Sequence, residues 1–455
     1  MVVSRRELLS RSAVGAGAIA LGNMSSLLAG QTAFADQGIG DLVPDPAGIL
    51  DLPSGFSYKI VSRAGDPLPG GGITPSRHDG TASVKGPRGG VRLVQNHEIG
   101  NSDPNPALAA PEFTYDPKAK GGTTTLTLDH DLNPVDQYVS LAGTFSNCAG
   151  GLTPWDTWLT CEETETLAGP NNDKNHGFVY EVDPANPSNN TTPTPLEALG
   201  RFAHEAVTID PDRGDVYLTE DASGPNGLVY RFRPNDRSRE YGALRNGGTL
   251  TAISCSRRGV HVPDLSVFST PGTELDVKWV PVPDPPAIPL SIRKQFANTE
   301  VTRSRKFEGA WWDDGKGHGH RTNARALIVC SFARLTDGSA AEHDGQVWAY
   351  DPAHHTLTLE LYLPLNPDIA SDIPDGPDNI SVSPFGGFFL AEDGLGAQHL
   401  LAVDEDANVT PFARNRISGS EFTGVNFAPN GKALFANIQD EGLCFAITGP
   451  FNRLE

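Results

Sequence analysis

The sequence predicts an all-β fold, a six-bladed β-propeller with a central metal site, and three observations lead there. Glycine (49) and proline (37) are abundant while methionine occurs twice, the composition of many short strands joined by tight turns. No stretch after residue 35 carries the 3.6-residue apolar period of a helix. Six apolar strands run directly into acidic or other polar residues, and each is preceded by a turn and a partner strand. A β-sandwich or two β domains are the fold alternatives.

The chain opens MVVSRRELLSRSAVGAGAIALG, a paired-arginine head and a small-residue apolar stretch too short to span a bilayer. With TAFADQ following, this reads as a twin-arginine export signal over residues 1–35, cut after Ala35, although Leu8 stands where such signals often carry Phe. An uncleaved anchor is the alternative. Residues 36–455 are then one exported propeller domain that meets the twin-arginine machinery in transit and acts as a secreted, periplasmic or cell-envelope protein. No later segment has the apolar length of a membrane helix. The formal charge of −21 repels nucleic acid and anionic lipid, so no nucleic-acid partner and no membrane span are expected of the mature chain, which is expected to be a monomer.

The repeat is visible in GFVYEVDP (177), GLVYRFRP (227), GQVWAYDP (345) and, more loosely, HLLAVDED (399), strands that follow a turn glycine or polar residue and end in punctuation. Before them lie paired strands: HDGTASVKGPRGGVRLVQNHE, CAGGLTPWDTWLTCEE, HEAVTIDPDRGDVYLTED, FEGAWWDDG through ALIVCS, PDNISVSPFGGFFLAED and EFTGVNFAPNGKALFANIQ. Turn signals such as PDRG, PFGG and PNGK sit midway, as hairpins require. In an antiparallel hairpin the start of the first strand and the end of the second lie at one end. Arranged radially, six such ends face the mouth of one channel. Glu98, Cys161, Glu162, Glu205, Glu220, Asp221, Glu308, Asp378, Asn379, Glu392 and Asp393 then converge. The competing reading is that each acid is a solvated turn residue.

A ring of like charges is costly unless cations neutralise it, so the pattern predicts bound metal. Carboxylate and amide oxygens suit calcium, whereas one thiolate, from Cys161, suits a transition ion. Cys161 is also readable as a buried small hydrophobe or as half of a disulfide with Cys148, 13 residues earlier at the start of the same hairpin, while five cysteines cannot all pair within one chain. His318 and His320 in GKGHGHR are readable as zinc ligands or as a solvated loop. There is no G-x-S-x-G, H-E-x-x-H or P-loop, which leaves metal-assisted hydrolysis as the chemistry with support.

QNHE (95–98), TPWDTWLTCEE (153–163), GRFAHEAV (200–207), VYLTED (216–221), FEGAWW (307–312), DGPDN (375–379), LAEDG (390–394) and EFTGVNFAPNGKALFANIQ (421–439) resemble the PhoX-type bacterial alkaline phosphatases, in a compact subgroup. The resemblance implies a six-bladed propeller whose centre holds iron (Fe3+) and calcium (Ca2+) joined through an oxo group. It implies small phosphate esters as substrates, phosphate monoesters first. Carried onto matching positions, it makes Cys161 an iron ligand, with Glu98, Glu162, Glu205, Asp221, Glu308, Asp378 and Asp393 as carboxylate ligands and Asn379 as a further one. Lys306 and His97 are the candidate catalytic side chains. Lys306 stands two residues before Glu308, where better-known members carry arginine, and lysine lacks the planar fork that grips phosphate in two places. Glu220 precedes Asp221 where two aspartates are more familiar. A calcium-dependent hydrolase of another ester class and a non-catalytic, metal-stabilised binding propeller are the other functions to weigh.

Overall fold

The computed structural model describes residues 39–100, 102–315, 323–331, 345–366, 373–394 and 396–454. The expected export signal and the His318/His320 run lie outside the described residues. Among those residues the regular structure is β-strand with short 3-10 turns, and the arrangement is all-β and propeller-like.

Six hairpins organise it, each made of an inner and a second strand. They are His78–Lys85 with Val91–His97, Asn147–Leu152 with Trp158–Glu162, and His204–Ile209 with Val216–Glu220. The other three are Phe307–Asp313 with Arg325–Cys330, Pro377–Val382 with Phe388–Glu392, and Phe422–Phe427 with Leu434–Ile438. The recurrent segments of the sequence supply third strands: Val179–Val182, Val229–Pro234, Gly345–Asp351 and His399–Val403 each pair antiparallel with a second strand. Hairpins three and four belong to one continuous sheet, because Glu274–Pro281 pairs with Gly248–Arg257 on one side and with Thr356–Leu363 on the other. In the sheet of the sixth hairpin the edge is covered by Ser57–Arg63, from the other end of the chain, which pairs with Leu443–Thr448.

The inner strands form a closed series, each packed on the next and the sixth back on the first. Their backbones approach closely because small residues stand at the contacts. A Cβ on Gly80 would lie 2.6 Å from the Ala149 Cα, and one on Gly309 would lie 2.9 Å from the Asn379 Cα. Between neighbouring sheets the apolar faces are buried: Leu159, Leu218, Tyr230 and Phe232 in one cluster, and Phe389, Phe412, Phe445 and Ile447 in another. Each such side chain contributes about 1.5–3 kcal/mol of burial. The polar strand ends are thus held on a stiff frame.

Candidate metal centre

One register recurs in every hairpin. The first inner residue pairs with the last residue of the second strand: His78 with His97, Asn147 with Glu162, His204 with Glu220, Phe307 with Cys330, Pro377 with Glu392, and Phe422 with Ile438. The register then slips at a bulge within the next four residues of each inner strand. A bulge leaves a residue outside the ladder and re-aims its side chain. At the same end of the hairpins, two positions are therefore released from pairing. One is the second inner residue in five of them, Asp79, Cys148, Glu205, Glu308 and Asp378, whereas in the sixth Thr423 still pairs with Asn437. The other lies just beyond the second strand: Glu98, Glu163, Asp221, Ser331, Asp393 and Gln439. In five hairpins the latter residue's N–H donates to the carbonyl of the residue preceding the inner strand, and this bond clamps the end. The pairs are Glu98 to Arg77 and Glu163 to Ser146 at 3.0 Å, Ser331 to Lys306 at 3.1 Å, Asp393 to Gly376 at 2.9 Å and Gln439 to Glu421 at 3.3 Å.

These positions assemble three overlapping groups, Cys148–Glu163–Glu205, Glu205–Glu308–Asp378 and Asp378–Asp393–Glu421, in each of which the ligand atoms lie within 4.8 Å of one another. Glu205 and Asp378 each belong to two groups, as carboxylates shared between neighbouring cations would. Cations there would offset the electrostatics of these acids. Burial, then the charges of Glu308, Glu163 and Asp378, hold Glu205 well above the usual carboxylate range. Burial, then Asp221 and Glu98, does the same to Glu163, and burial with Glu98 and Asp378 does so to Asp79. Glu98 is raised by burial against the opposing pull of Arg77. Two cations stand among these acids: Lys306 is ion-paired with Asp221 and lies 3.7 Å from Glu308 Oε1, and Arg77 lies 3.4 Å from Glu98 Oε2. The residues fit metal: the first group offers a thiol and two carboxylates, a set for a transition ion, and the other two offer oxygen alone, a set for a harder cation. Burial and the charge of Glu205 push the Cys148 thiol up, so metal binding there must displace its proton.

Of the sequence-derived candidates, the structure brings together Glu98, Glu205, Asp221, Glu308, Asp378, Asp393 and Lys306. It does not bring Cys161, Glu162, Glu220, Glu392 or His97 into the cluster. The reason is parity: all but Cys161 are the last paired residues of their strands, and their side chains turn into the packing between sheets. Glu162 accepts from the N–H groups of Phe145, Gly177 and Phe178 at 2.8–3.1 Å and from His176 Nδ1 at 2.6 Å. Glu220 accepts from Tyr230 Oη at 2.6 Å and from Arg293 at 3.0 Å. Glu392 takes the Asp375 N–H at 2.6 Å and His399 Nδ1 at 2.8 Å. His97 donates from Nδ1 to the Ser76 carbonyl at 3.0 Å and accepts at Nε2 from Thr124 at 2.9 Å. Burial lowers its pKa to about 4, leaving a neutral ring that fixes the turn beneath Glu98. Cys161, one residue earlier, is fully buried in the apolar cluster with Leu159 and Val179. All five cysteines are free, which removes the Cys148–Cys161 disulfide. Asn379 is a tie between strands: its side chain accepts from the Gly424 N–H at 2.7 Å and donates to Asp378 at 3.1 Å.

Cys148, Glu163, Asp79, Glu421 and Arg77 were missed by reasoning from strand ends. Their signal was present: Cys148 follows Asn147 as Glu205 follows His204 and Glu308 follows Phe307. These roles separate experimentally. Glu162→Gln is expected to lower stability by about 1–3 kcal/mol, as lost charge-assisted bonds do, while elemental analysis finds the bound metal unchanged; a proportional loss of metal would place Glu162 in the centre after all.

Comparison with known proteins agrees with this fold. The family model described as alkaline phosphatase PhoX matches residues 37–135 and 129–442. Among solved structures the fold is similar to that of Pseudomonas fluorescens PhoX in complex with vanadate, a transition state analogue. The TM-score is 0.65 and the identity 18%, over 90% of this chain and 97% of that one. A Xanthomonas campestris gluconolactonase also matches, at TM-score 0.40 and 12% identity over 90% of this chain and 98% of that one. No curated protein sequence matches. With its family model spanning nearly the whole described region, this chain belongs to the alkaline phosphatase PhoX family of phosphoric ester hydrolases.

Proposed function

We propose that this chain is an exported, metal-dependent phosphatase hydrolysing phosphate monoesters, and diesters as a further class, at an iron and calcium centre in the channel of a six-bladed propeller. The observation that carries this reading is the linked series of three ligand groups, joined through Glu205 and Asp378, with the thiol of Cys148 at one end. The closed series of six hairpins with one register supports the blade count. The vanadate bound by the Pseudomonas fluorescens protein supports a phosphoryl-transfer site. The paired arginines at residues 5 and 6 support twin-arginine export to the periplasm, cell envelope or medium.

Cys148, Glu163 and Glu205 would hold the iron; Glu308, Asp378, Asp393 and Glu421, with Glu205, would hold calcium. When bound, such ions polarise a phosphoryl oxygen and make bound water a nucleophile at moderate pH. The chain's own side chains do the rest. Lys306 Nζ, at the mouth beside Asp221 and Glu308, meets the anionic phosphoryl group as a point charge. Gln439 Nε2 donates to Asp79 at 2.7 Å and to Glu98 at 2.9 Å, and so fixes both carboxylates on the first hairpin. The inner-strand residues below this layer are buried, where charge interactions are least screened.

Protein loaded with iron and calcium is expected to hydrolyse an aryl phosphate monoester at alkaline pH and to lose the activity on chelation. Loaded protein with no turnover of any aryl phosphate would overturn the reading. Lys306→Ala is expected to raise KM for that substrate about tenfold or more, the scale of one lost charge-assisted bond, at unchanged metal content.

A further inference from the structure

We propose a second ligand site, distant from the metal centre, in which Arg231, Tyr217 and Trp312 together take a small tetrahedral oxyanion such as sulfate or inorganic phosphate. The site lies where the strands around hairpin three face those around hairpin four, within one buried cluster. Tyr217 and Arg231 are register partners on neighbouring strands, so their side chains share a face. Trp312, Ala326 and Tyr350 form a like row across three strands, with only a methyl between the two rings. The rows meet: the Tyr217 ring lies 5.3 Å from that of Tyr350 and 6.4 Å from that of Trp312, nearly parallel to the latter. Trp279 stands 6.0 Å from Tyr217 on the other side. Trp312 follows Glu308 by four residues of the same strand, about 13 Å by the rise of a strand. The site and the ligand groups therefore occupy opposite ends of the hairpins.

Three hydrogen-bond donors are left over in this cluster. Tyr217 Oη, Trp312 Nε1 and Arg231 Nε are each buried without a partner among the described residues. Buried donors are nearly always satisfied, by protein or by something bound, because an unmet one is costly. Arg231 is only 7% exposed, and its guanidinium lies over the Trp279 ring, 4.7 Å from the centroid. Such stacking occupies the face of the cation and leaves its N–H edge free for a planar, two-point grip. No carboxylate among the described residues ion-pairs with it. The nearby Asp215, whose Oδ1 makes no hydrogen bond, is held by Arg233 at 3.2 Å and Arg237 at 3.6 Å. Burial, and then the charge of Arg233, lower the pKa of Arg231, as expected of a cation short of a counter-ion. Three donors and a charge call for a ligand that only accepts and is negative. A single water accepts two bonds and carries no charge, so it would leave a donor and the cation unmet. Beside the site, Arg233 and Arg237 keep 50% and 53% of their side chains exposed and favour the approach of an anion.

The test titrates sulfate, at an ionic strength held constant with chloride, into wild-type, Arg231→Met, Arg231→Lys and Glu205→Gln proteins, each loaded with iron and calcium. Tryptophan emission and heat are followed together. Wild type is expected to bind sulfate saturably with a change in emission, since Trp279 and Trp312 line the site, and inorganic phosphate is expected to compete. Arg231→Met is expected to weaken the sulfate constant about 10–100-fold, the scale of a lost bidentate charge-assisted contact. Arg231→Lys, which keeps the charge and removes the stacked fork, is expected to recover only part of that loss. Glu205→Gln is expected to leave the constant unchanged, because Glu205 belongs to the metal centre. Wild type that shows no saturable sulfate binding overturns the proposal, and so does a constant that neither Arg231 variant moves. A constant that falls in Glu205→Gln as far as in Arg231→Met also overturns it, since the anion would then sit at the metal centre. Should Arg231→Met fail to fold, Arg231→Lys decides alone.

Discussion

Replacing Cys148 by serine is expected to strip the transition ion from the purified protein and to abolish turnover, a loss of at least about 100-fold on the scale of a missing ligand. Cys161→Ser is expected to keep both. The two cysteines lie on facing strands of one hairpin, are both buried and differ in what surrounds the sulfur. Cys148 joins Glu163 and Glu205 in a group with ligand atoms within 4.8 Å, and its Sγ lies 3.2 Å from the His204 carbonyl. Cys161 shares the apolar cluster of Cys148, Leu159 and Val179 but belongs to no such ligand group. A hydroxyl is a harder donor than a thiolate and holds a soft-ligand ion poorly. At position 161 the same change only buries a hydroxyl among apolar atoms, at a cost of about 1–3 kcal/mol. Iron content per chain and activity, measured on both variants at one temperature well below unfolding, separate the two. Equal iron in Cys148→Ser and wild type would remove the thiol from the centre.

The contrast between these cysteines shows what the sequence could and could not tell. Hairpins were legible because their punctuation is chemical: PDRG, PFGG and PNGK set turns, and apolar runs of strand length flank them. That Glu205, Glu308 and Asp378 gather at one end was legible too, since an acid at the start of an otherwise apolar strand has few other places to go. Which of two adjacent residues faces the centre was not. In TWLTCEE the side chains alternate, so a shift of one residue exchanges Glu162 with Glu163 and core with mouth. That choice is set by where the ladder ends and by the bulge opposite, both consequences of packing six inner strands within Cβ contact of one another. Thr423, Ser331 and Gln439 complete the pattern without an acid, and so gave a charge-based search nothing to find.

The same buried carboxylates make a second large effect, the dependence of stability on pH and metal together. The folded-state pKa values of Asp79, Glu98, Glu163 and Glu205 are raised, chiefly by burial and then by one another. A carboxyl whose folded pKa is raised contributes stability below its unfolded value, near 4 on the usual scale, and that stability is lost as pH rises through the folded value. Metal-free protein is therefore expected to lose stability as the solution becomes more alkaline, at about 1.4 kcal/mol for each unit by which a group is raised. Bound cations reverse the sign, because they favour the ionised carboxylates and bind more tightly as protons leave. The buried histidines work oppositely: His97 and His204, lowered by burial to about 4 and about 3, lose stability as pH falls below the ordinary histidine range. Those histidine contributions are shared by the loaded and stripped forms, so the difference between the two melting curves isolates the carboxylates. The gap in Tm between loaded and chelated protein is expected to widen by about 5 °C or more from about pH 6 to about pH 8.5. In Glu205→Gln it is expected to widen less, since that change removes one of the two carboxylates that link the ligand groups. A gap that stays constant or narrows over that interval would mean that the acids are solvated strand ends and that metal contributes nothing to the fold.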